Sequence, residues 1–381
     1  MKASNRDDLL LYAVGDVGPR REDPDSIFRY VKDTIRGGDI AFCQLEPNLS
    51  KRGTRMPQAR LAMRTDPASA RAIKEAGFHV VSFASNHCMD WGTEAFFDTI
   101  EALQGQGLMV LGAGKNIEEA RRPVIIEAKG TSVAFLGYNT ILPMGYWAEA
   151  DRPGCAPLRA WTVYEQIEHD QPGTPCRIYT SPNRDDLKTM VEAINNAKKK
   201  ADLVIVSIHW GIHFIPSVIA DYQRTAGRAA IDAGADIILG HHAHILKGIE
   251  VYKGKAIFYS LCNFALEAPH AFMEEAEGKE SRRHVEIRDL NKDIKPDDPR
   301  RMPEDTRKTI IVKCSVLDKQ IKQVSFQPVY LNDDSEPEIL FPDDERFNEV
   351  VDYIKTITLD QGIGTMFRIE GNEVIVETAG S

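Results

Sequence analysis

Short apolar segments alternate with helix-like segments over the first 265 residues, and this alternation restricts the fold more than any other feature. Two of the apolar segments, Leu9–Val14 and Asp202–Ile208, consist mainly of aliphatic and β-branched residues. A strand that is apolar on both faces needs cover on both faces of its sheet. Strands separated by helices of about 10–15 residues are typical of an α/β fold. We therefore predict α/β sheets flanked by helices.

Five of these apolar segments are followed by residues that can bind a metal ion. The carboxyl ends of parallel strands lie at one edge of an α/β sheet, where ligands bind, so we expect these side chains to converge. The residues in question are Asp16, Glu46, Asn86, His209 and the group His241, His242 and His244.

This set of oxygen and nitrogen donors without a thiolate suits a divalent metal. Imidazole favours Mn, Zn or Fe, whereas Ca and Mg prefer oxygen ligands. His242 and His244 are two residues apart, so both face the same way in an extended segment. A carboxylate such as Glu46 can bridge two ions, and two ions can clamp the attacking and leaving oxygens of a displacement. The sequence predicts a site for one or two ions.

Composition argues against several classes of partner. The net charge is −10 and the isoelectric point is about 5.6, whereas nucleic acids and anionic membranes bind basic surfaces. The apolar run Leu9–Val14 is too short for a secretory leader or a membrane span. We expect a cytoplasmic protein without a membrane anchor. The sequence does not determine the oligomeric state.

Residues 267–309 interrupt the alternation, because they are highly charged and lack apolar periodicity. We predict an exposed insertion or mobile loop there, and a lid over the site is the alternative. Residues 1–266 would then form the catalytic core. Residues 310–381 would form C-terminal hairpins and a helix that pack on that core.

Several motifs resemble those of the CapA family of capsule and poly-γ-glutamate synthesis proteins. The matching segments include Gln44–Ser50, Ser85–Gly92, Ile208–Gly211 and Gly240–Phe264, in the family's order. The resemblance implies the calcineurin-like metallophosphatase sandwich, with β-sheets flanked by helices. It also implies a metal-dependent hydrolase that uses a water activated by a divalent metal and acts on a small-molecule or peptide-like acidic substrate.

The resemblance implies a role for each matching site residue. Glu46 would bridge two metal positions. The first metal would be held by Asp16 and His244, and the second by Asn86, His209 and His242.

Other residues would act on the substrate. His87 matches the histidine that donates a proton to the leaving group in phosphatases of this fold, and Asp90 would orient its imidazole. We also assign substrate contacts to Trp210, His213 and His241, which adjoin the predicted ligands.

One departure leaves the reaction open. Phosphatases of this fold usually begin with Asp-x-His, whereas this chain reads Asp16-Val17-Gly18 and lacks that histidine. The first hypothesis is hydrolysis of a phosphoester or of an amide-type bond. The second is metal-assisted epimerisation, in which Asp16 or a histidine acts as acid or base. The third is a non-catalytic role in assembly of a capsule or of poly-γ-glutamate.

Overall fold

The computed structural model describes residues 8–59, 61–267 and 302–377. The strands are β1 Leu9–Gly18, β2 Ile40–Leu45, β3 Asn48–Leu49, β4 Arg64–Thr65, β5 Val80–Ser82, β6 Met109–Leu111, β7 Ala113–Gly114, β8 Val124–Ala128, β9 Thr131–Asn139, β10 Gly154–Cys155, β11 Ala160–Gln166, β12 Cys176–Pro182, β13 Leu203–His209, β14 Ile237–His241, β15 Ile249–Tyr252, β16 Lys255–Phe258, β17 Asn263–Leu266, β18 Lys308–Leu317, β19 Gln320–Leu331, β20 Pro337–Ile339, β21 Met366–Glu370 and β22 Glu373–Glu377. The α-helices are α1 Lys32–Arg36, α2 Ser69–Glu75, α3 Gly92–Gly105, α4 Ile117–Ala120, α5 Arg184–Lys198, α6 Asp221–Asp232 and α7 Glu345–Asp360, and 3-10 helices span Pro24–Phe28 and Glu304–Arg307.

The larger sheet is built around β1. Its strands run in the order β21-β22-β19-β18-β1-β2-β5-β6, while β17 pairs with β1 and β20 with β19. The strands β17, β1, β2, β5 and β6 are mutually parallel. Their carboxyl ends therefore lie at one edge of the sheet.

The smaller sheet has the order β15-β16-β14-β13-β9-β8. Its inner strands β9, β13, β14 and β16 are parallel. Every residue of β13 is buried, as expected for a strand with both faces covered. The register places His209 of β13 beside His241 of β14.

The two sheets pack face to face, and helices cover their outer faces. Phe42 of the larger sheet stacks on Phe135 of the smaller one, with ring centroids 5.7 Å apart. Residues of α2 and α3 pack against the larger sheet, and residues of α5 and α6 pack against the smaller one. The predicted α/β architecture, with β-sheets flanked by helices, is confirmed. No helix within the described ranges is long and apolar enough to cross a bilayer.

The chain after residue 301 contributes to the same sheet. β18 pairs antiparallel with β1, and α7 packs into the core between the sheets through Val350, Val351 and Ile354. Residues 302–309, which we assigned to the exposed insertion, are almost entirely buried, so the prediction of exposure is wrong for them. Their charged groups are buried as ion pairs, such as Lys308 with Asp305. The rest of the predicted insertion or lid, residues 268–301, lies outside the described residues.

Strands β11 and β12 form a separate two-stranded hairpin that the sequence analysis did not identify. Its side chains are mostly exposed. The segment lacks the apolar alternation of a half-buried strand, because it has no sheet neighbour to pack against. We call residues 160–182 the arm.

Candidate metal centre

The candidate site lies at the carboxyl ends of β1, β2, β13 and β14, between the two sheets. Asp16 sits at an irregularity of β1, where the pairing with β17 shifts register. Its backbone N–H donates to the carbonyl of Cys262 over 3.0 Å. A Cβ atom on Gly15 would lie only 2.0 Å from that carbonyl oxygen. Glycine at position 15 therefore lets the Cys262 loop approach β1 closely.

Three predicted ligands meet at one point. Asn86 Oδ1 lies 2.7 Å from His209 Nε2 and 3.1 Å from His242 Nδ1. The two imidazole nitrogens are also 3.1 Å apart. Glu46 Oε2 lies 3.6 Å from His209 Nε2. Side chains from four separate segments of the chain thus present donor atoms to a common centre.

These separations are compatible with ligands that share one cation. Two nitrogens bonded to a tetrahedral zinc at about 2.0–2.1 Å are about 3.3–3.4 Å apart, and octahedral coordination at similar bond lengths brings neighbouring ligands to about 3.0 Å. The contacts among Asn86, His209 and His242 fall close to this range. The donor set of one amide oxygen, two imidazoles and one carboxylate suits a divalent transition metal.

A second group of ligands adjoins the first. Asp16, Glu46 and His244 each offer one ligand atom, and these atoms lie within 4.8 Å of one another. His244 Nδ1 is 3.5 Å from Asp16 Oδ2, and its Nε2 is 3.8 Å from Glu46 Oε1. The two oxygens of Glu46 therefore face different groups of ligands, which is the position that a bridging carboxylate occupies.

The electrostatics of Glu46 also fit a cation. Burial, together with the negative charge of Asp16, raises the pKa of Glu46 to about 8. Asp16 Oδ1 and Glu46 Oε1 are buried without a hydrogen-bond partner. Unpaired carboxylate oxygens are costly to bury, and a divalent cation between them would offset that cost. The residues present thus fit a metal ion.

The histidines of the centre are held neutral. Burial lowers the pKa of His209 and His242 well below the usual value, and the neighbouring histidines lower it further. Burial also lowers the pKa of His244, although the charge of Asp16 opposes this shift. A neutral imidazole has a lone pair free for a metal, whereas an imidazolium does not.

The backbone at these histidines is unusual. His242 has a φ of 87° and His244 a φ of 55°, in the left-handed region that residues with a Cβ atom rarely adopt. Such conformations cost about 1–3 kcal/mol each and cluster at functional sites. His242 and His244 are therefore held at the centre at a cost to backbone stability.

His87 and Asp90 form a buried pair beside the metal ligands. His87 Nδ1 lies 2.5 Å from Asp90 Oδ2, and its Nε2 lies 3.8 Å from Glu46 Oε1. The hydroxyl of Tyr146 donates to Asp90 Oδ1 over 2.9 Å, and the backbone N–H of Met63 donates to Oδ2 over 2.8 Å. Burial lowers the pKa of His87, but the charges of Asp90 and Glu46 outweigh it and raise the pKa to about 9.

Two of the three predicted substrate contacts are wrong. Trp210 is completely buried, its indole N–H donates to the carbonyl of Tyr259 over 3.0 Å, and its ring stacks on that of Tyr259. Trp210 therefore packs in the core under α6. His241 is also completely buried and lies behind Asp16, with 3.4 Å between Nδ1 and Asp16 Oδ1. Neither side chain can reach a substrate.

The third predicted contact, His213, lies at the centre. Its ring centroid is 3.9 Å from that of His242 and 5.2 Å from that of His244. His213 is half-buried. A contact between His213 and a substrate is compatible with this position and remains a prediction.

The histidine missing from Asp-x-His has no room in this chain. A Cβ atom on Gly18 would lie 2.7 Å from side-chain atoms of both Leu266 and Pro47. The sequence analysis also missed Asn263, whose Oδ1 lies 2.7 Å from His244 Nδ1, and Ser85, whose hydroxyl lies 3.1 Å from Glu46 Oε2. Both fall inside the motifs quoted above, which was the available signal.

Comparison with known proteins places the chain in a family. A profile described as "Bacterial capsule synthesis protein PGA_cap" matches residues 7–268. The "PGA biosynthesis protein CapA" of Bacillus subtilis (strain 168) is 30% identical over 269 residues, which are 70% of this chain and 63% of that protein. The "Capsule biosynthesis protein CapA" of Bacillus anthracis is 31% identical over 64% of this chain and 54% of that protein. The chain thus spans between 54% and 63% of the length of these two curated relatives.

Solved structures give more distant matches. A putative 5'-nucleotidase from Staphylococcus aureus matches with 14% identity and a TM-score of 0.42, over 92% of this chain and 58% of that one. The calcineurin-like phosphoesterase YfkN from Bacillus subtilis matches with 12% identity and a TM-score of 0.40, over 93% of this chain and 97% of that one. The family profile covers more than half of the chain, and the chain therefore belongs to the PGA_cap family of bacterial capsule synthesis proteins.

Proposed function

We propose that this protein is a metal-dependent hydrolase that cleaves a phosphoester or an amide-type bond. The observation that carries the proposal is the cluster of Asn86 Oδ1, His209 Nε2 and His242 Nδ1, all within 3.1 Å of one another. A buried proton donor, His87, stands on the other side of Glu46 from His209.

The ligands divide between two positions. One is formed by Asn86, His209, His242 and Glu46 Oε2, and the other by Asp16, His244 and Glu46 Oε1. Divalent ions such as Mn, Zn or Fe would supply Lewis acidity there and bring the pKa of a water toward neutrality.

The chain itself supplies the proton for the leaving group. Nδ1 of the His87 imidazolium donates a hydrogen bond to Asp90 Oδ2. The second proton of the imidazolium therefore lies on Nε2, which faces Glu46. Burial lowers the pKa of His87, but Asp90 and Glu46 raise it to about 9, which favours the protonated imidazole. A general acid placed in this way contributes roughly 10²–10⁴-fold to the rate of such reactions.

Metal analysis of the purified protein tests the first half of the proposal. We expect a transition metal in protein prepared without chelator, and its loss in His209→Ala and His242→Ala. His169→Ala is the matched control, because His169 is exposed in the arm. Protein that holds no metal and binds none when Mn, Zn or Fe is added would contradict the proposal.

A substrate panel tests the second half. p-Nitrophenyl phosphate, its bis ester and a γ-glutamyl anilide would be assayed with and without chelator, and again with His87→Ala. We expect turnover of at least one substrate that chelator abolishes and His87→Ala reduces. If metal-loaded protein turns over none of these compounds, the result contradicts hydrolysis and leaves epimerisation or a non-catalytic role, which are described below.

Epimerisation of an acidic peptide or amino-acid centre is the second candidate. It is favoured by the first metal position, which lacks the Asp-x-His histidine and has Gly18 packed against Leu266 and Pro47 instead. A weaker metal position would leave Asp16 free to act on a proton. Deuterium from the solvent in recovered, uncleaved substrate would identify this reaction.

A non-catalytic role in capsule or polymer assembly is the third candidate. The relatives' names mention biosynthesis rather than hydrolysis. This role predicts that the protein binds an acidic polymer and that His87→Ala does not change the affinity, because only catalysis needs the proton that His87 would donate.

A further inference from the structure

Asn263 holds the ring of His244 through a short contact. Its Oδ1 lies 2.7 Å from His244 Nδ1, which is the length of a well-formed N–H···O hydrogen bond. Asn263 is 6% exposed, and the side chain of His244 is 12% exposed. Little water therefore competes for this contact, and the amide determines which nitrogen of the imidazole carries the proton.

The other ring nitrogen of His244 faces the metal ligands. Its Nε2 lies 3.8 Å from Glu46 Oε1, which is too long for a direct hydrogen bond between the two groups. Two atoms that each bind the same cation at about 2.0–2.2 Å lie about 3.0–4.2 Å apart, depending on the angle at the metal. The gap on the Nε2 side therefore accommodates an ion.

Asp16 does not compete for the proton on Nδ1. Its Oδ2 lies 3.5 Å from His244 Nδ1, whereas Asn263 Oδ1 lies 2.7 Å from the same nitrogen. The proton is thus held by an uncharged amide. Asp16 Oδ1 remains buried without a hydrogen-bond partner, so the carboxylate keeps its charge available for a cation.

The backbone fixes Asn263 beside the centre. Asn263 is the first residue of β17 and pairs with Asp16 of β1, where the register shifts. The preceding residue, Cys262, has a φ of 67°, in the left-handed region that residues with a Cβ atom rarely adopt. The thiol of Cys262 donates to the carbonyl of His244 over 3.2 Å. Two adjacent residues therefore hold both the backbone and the ring of His244.

The other histidines of the centre lack this support. His209 faces the other ligands through Nε2, and its Nδ1 is buried with no hydrogen-bond partner among the described residues. His242 presents Nδ1 to the same point, and in the part of the chain that the structure describes no hydrogen bond reaches its Nε2. His244 is the ligand whose tautomer is set by a neighbouring side chain.

We propose that Asn263 is a positioning residue that selects the metal-binding atom of His244. A metal-binding imidazole is neutral and carries a single N–H. Because Asn263 accepts that N–H at Nδ1, the lone pair lies on Nε2, which faces Glu46 Oε1. Such an acceptor also makes the ligand nitrogen more basic. The inference rests on the proposed metal at the Asp16–His244 position, but not on the reaction that the metal supports.

Metal titration of chelator-treated protein tests the proposal on the full chain. Asn263→Leu has a similar branched shape but cannot accept a hydrogen bond, whereas Asn263→Asp retains the acceptor. The measured quantity is the affinity for Zn of the position that His244→Ala removes. We expect Asn263→Leu to weaken this affinity by about 10–100-fold and Asn263→Asp to restore it.

A matched control separates positioning from a general loss of stability. Asn183→Leu removes the side chain that caps the N-terminus of α5, so it destabilises the fold without touching a ligand. We expect it to leave the affinity for Zn unchanged. Circular dichroism would show that each variant remains folded.

Nitrogen NMR of protein labelled at histidine reads the tautomer itself. The signal of His244 is assigned by its absence in His244→Ala. We expect the proton on Nδ1 in metal-free native protein, and zinc on Nε2 once the metal is added. Asn263→Leu should move the proton of the metal-free ring towards Nε2, because nothing then holds it on Nδ1, and Asn263→Asp should return it.

Three results would overturn the proposal. The first is a proton on Nε2 of His244 in metal-free native protein, because the amide then donates to Nδ1 instead of accepting. The second is zinc bound to Nδ1 of His244. The third is an Asn263→Leu variant with native affinity and native tautomer. A native protein that binds no metal would overturn the proposed function as well, whereas these three results leave the metal centre itself intact.

Discussion

Replacing Lys247 by methionine tests how the chain holds its histidine segment in place. Lys247 follows His244 by three residues and is 2% exposed. Its Nζ donates a hydrogen bond to the backbone carbonyl of Ile215. Burial lowers the pKa of Lys247 to about 7, and the charge of Asp305 only partly opposes this shift.

The lowered pKa makes stability depend on pH with a definite sign. Between about pH 7 and the unfolded value of 10.5, the unfolded chain binds a proton at Lys247 that the folded chain releases. The stability cost of this lysine is fully present below pH 7 and is relieved as pH rises. At 1.36 kcal/mol per pKa unit, relief between pH 7 and 9.5 is about 3 kcal/mol.

Denaturant unfolding of the native protein and of Lys247→Met at both pH values measures this quantity. The compared quantity is the free energy of unfolding of the variant minus that of the native protein, in which the titrating groups common to both proteins cancel. We expect this difference to fall by about 3 kcal/mol from pH 7 to 9.5, because only the native protein gains stability from Lys247. Lys322→Met, at an exposed position, should show no such change. An equal stability difference at both pH values would refute the reasoning.

The same substitution should affect the site. The carbonyl that Lys247 holds belongs to Ile215, two residues from His213, whose ring packs 3.9 Å from that of His242. Without this hydrogen bond, the segment that carries His213 loses an anchor. We expect Lys247→Met to reduce catalytic turnover even where it increases stability, as measured with any substrate that the panel identifies.

Three further substitutions have definite expectations. Asp90→Asn should lower the pKa of His87 from about 9, because the negative charge of Asp90 no longer opposes the effect of burial. The alkaline limb of the pH–rate profile should then move to lower pH, with a loss of about 10²–10⁴-fold in rate. An unmoved limb would exclude His87 as the general acid. His241→Leu should weaken metal binding by roughly 10–100-fold, because Asp16 Oδ1 loses the polar imidazole nitrogen that lies 3.4 Å from it, whereas His241→Asn keeps a polar side chain at that position; titration with Zn compares the two variants, and equal affinities would contradict an orienting role. Gly15→Ala should destabilise the fold by about 1–3 kcal/mol or more, because its Cβ would lie 2.0 Å from a carbonyl oxygen; an unchanged unfolding midpoint would show that the loop can move.

Much of the site could be predicted because most of the candidate ligands directly follow apolar strand segments in the sequence. Asp16, Glu46 and His209 each follow an apolar run, and parallel pairing aligns the strand ends within each sheet. The packing of the two sheets then brings Glu46 within 3.6 Å of His209. The sequence could not show which way the residue after a ligand points. Trp210 follows His209 directly, yet its ring enters the core below α6.

The sheets and their covering helices could also be predicted from the sequence, whereas the arm and the burial of residues 302–309 could not. Alternating strands and helices indicated the sandwich, because buried parallel strands must be apolar on both faces. The arm was missed because its side chains are mostly exposed and carry no pattern of burial. The burial of residues 302–309 was also missed, because ion pairs such as Lys308 with Glu349 form only when distant segments meet.

By itself, the sequence determined the alternation of strands and helices, the family motifs, and the residue types that gather at one edge of the sheets. These are local properties, set by periodicity and by the residues that end each strand. Only the tertiary structure decided that His241 lies behind Asp16, that Glu46 faces two groups of ligands, and that the base of the arm contacts α6. Each depends on the packing of segments far apart in the chain, which no local pattern records.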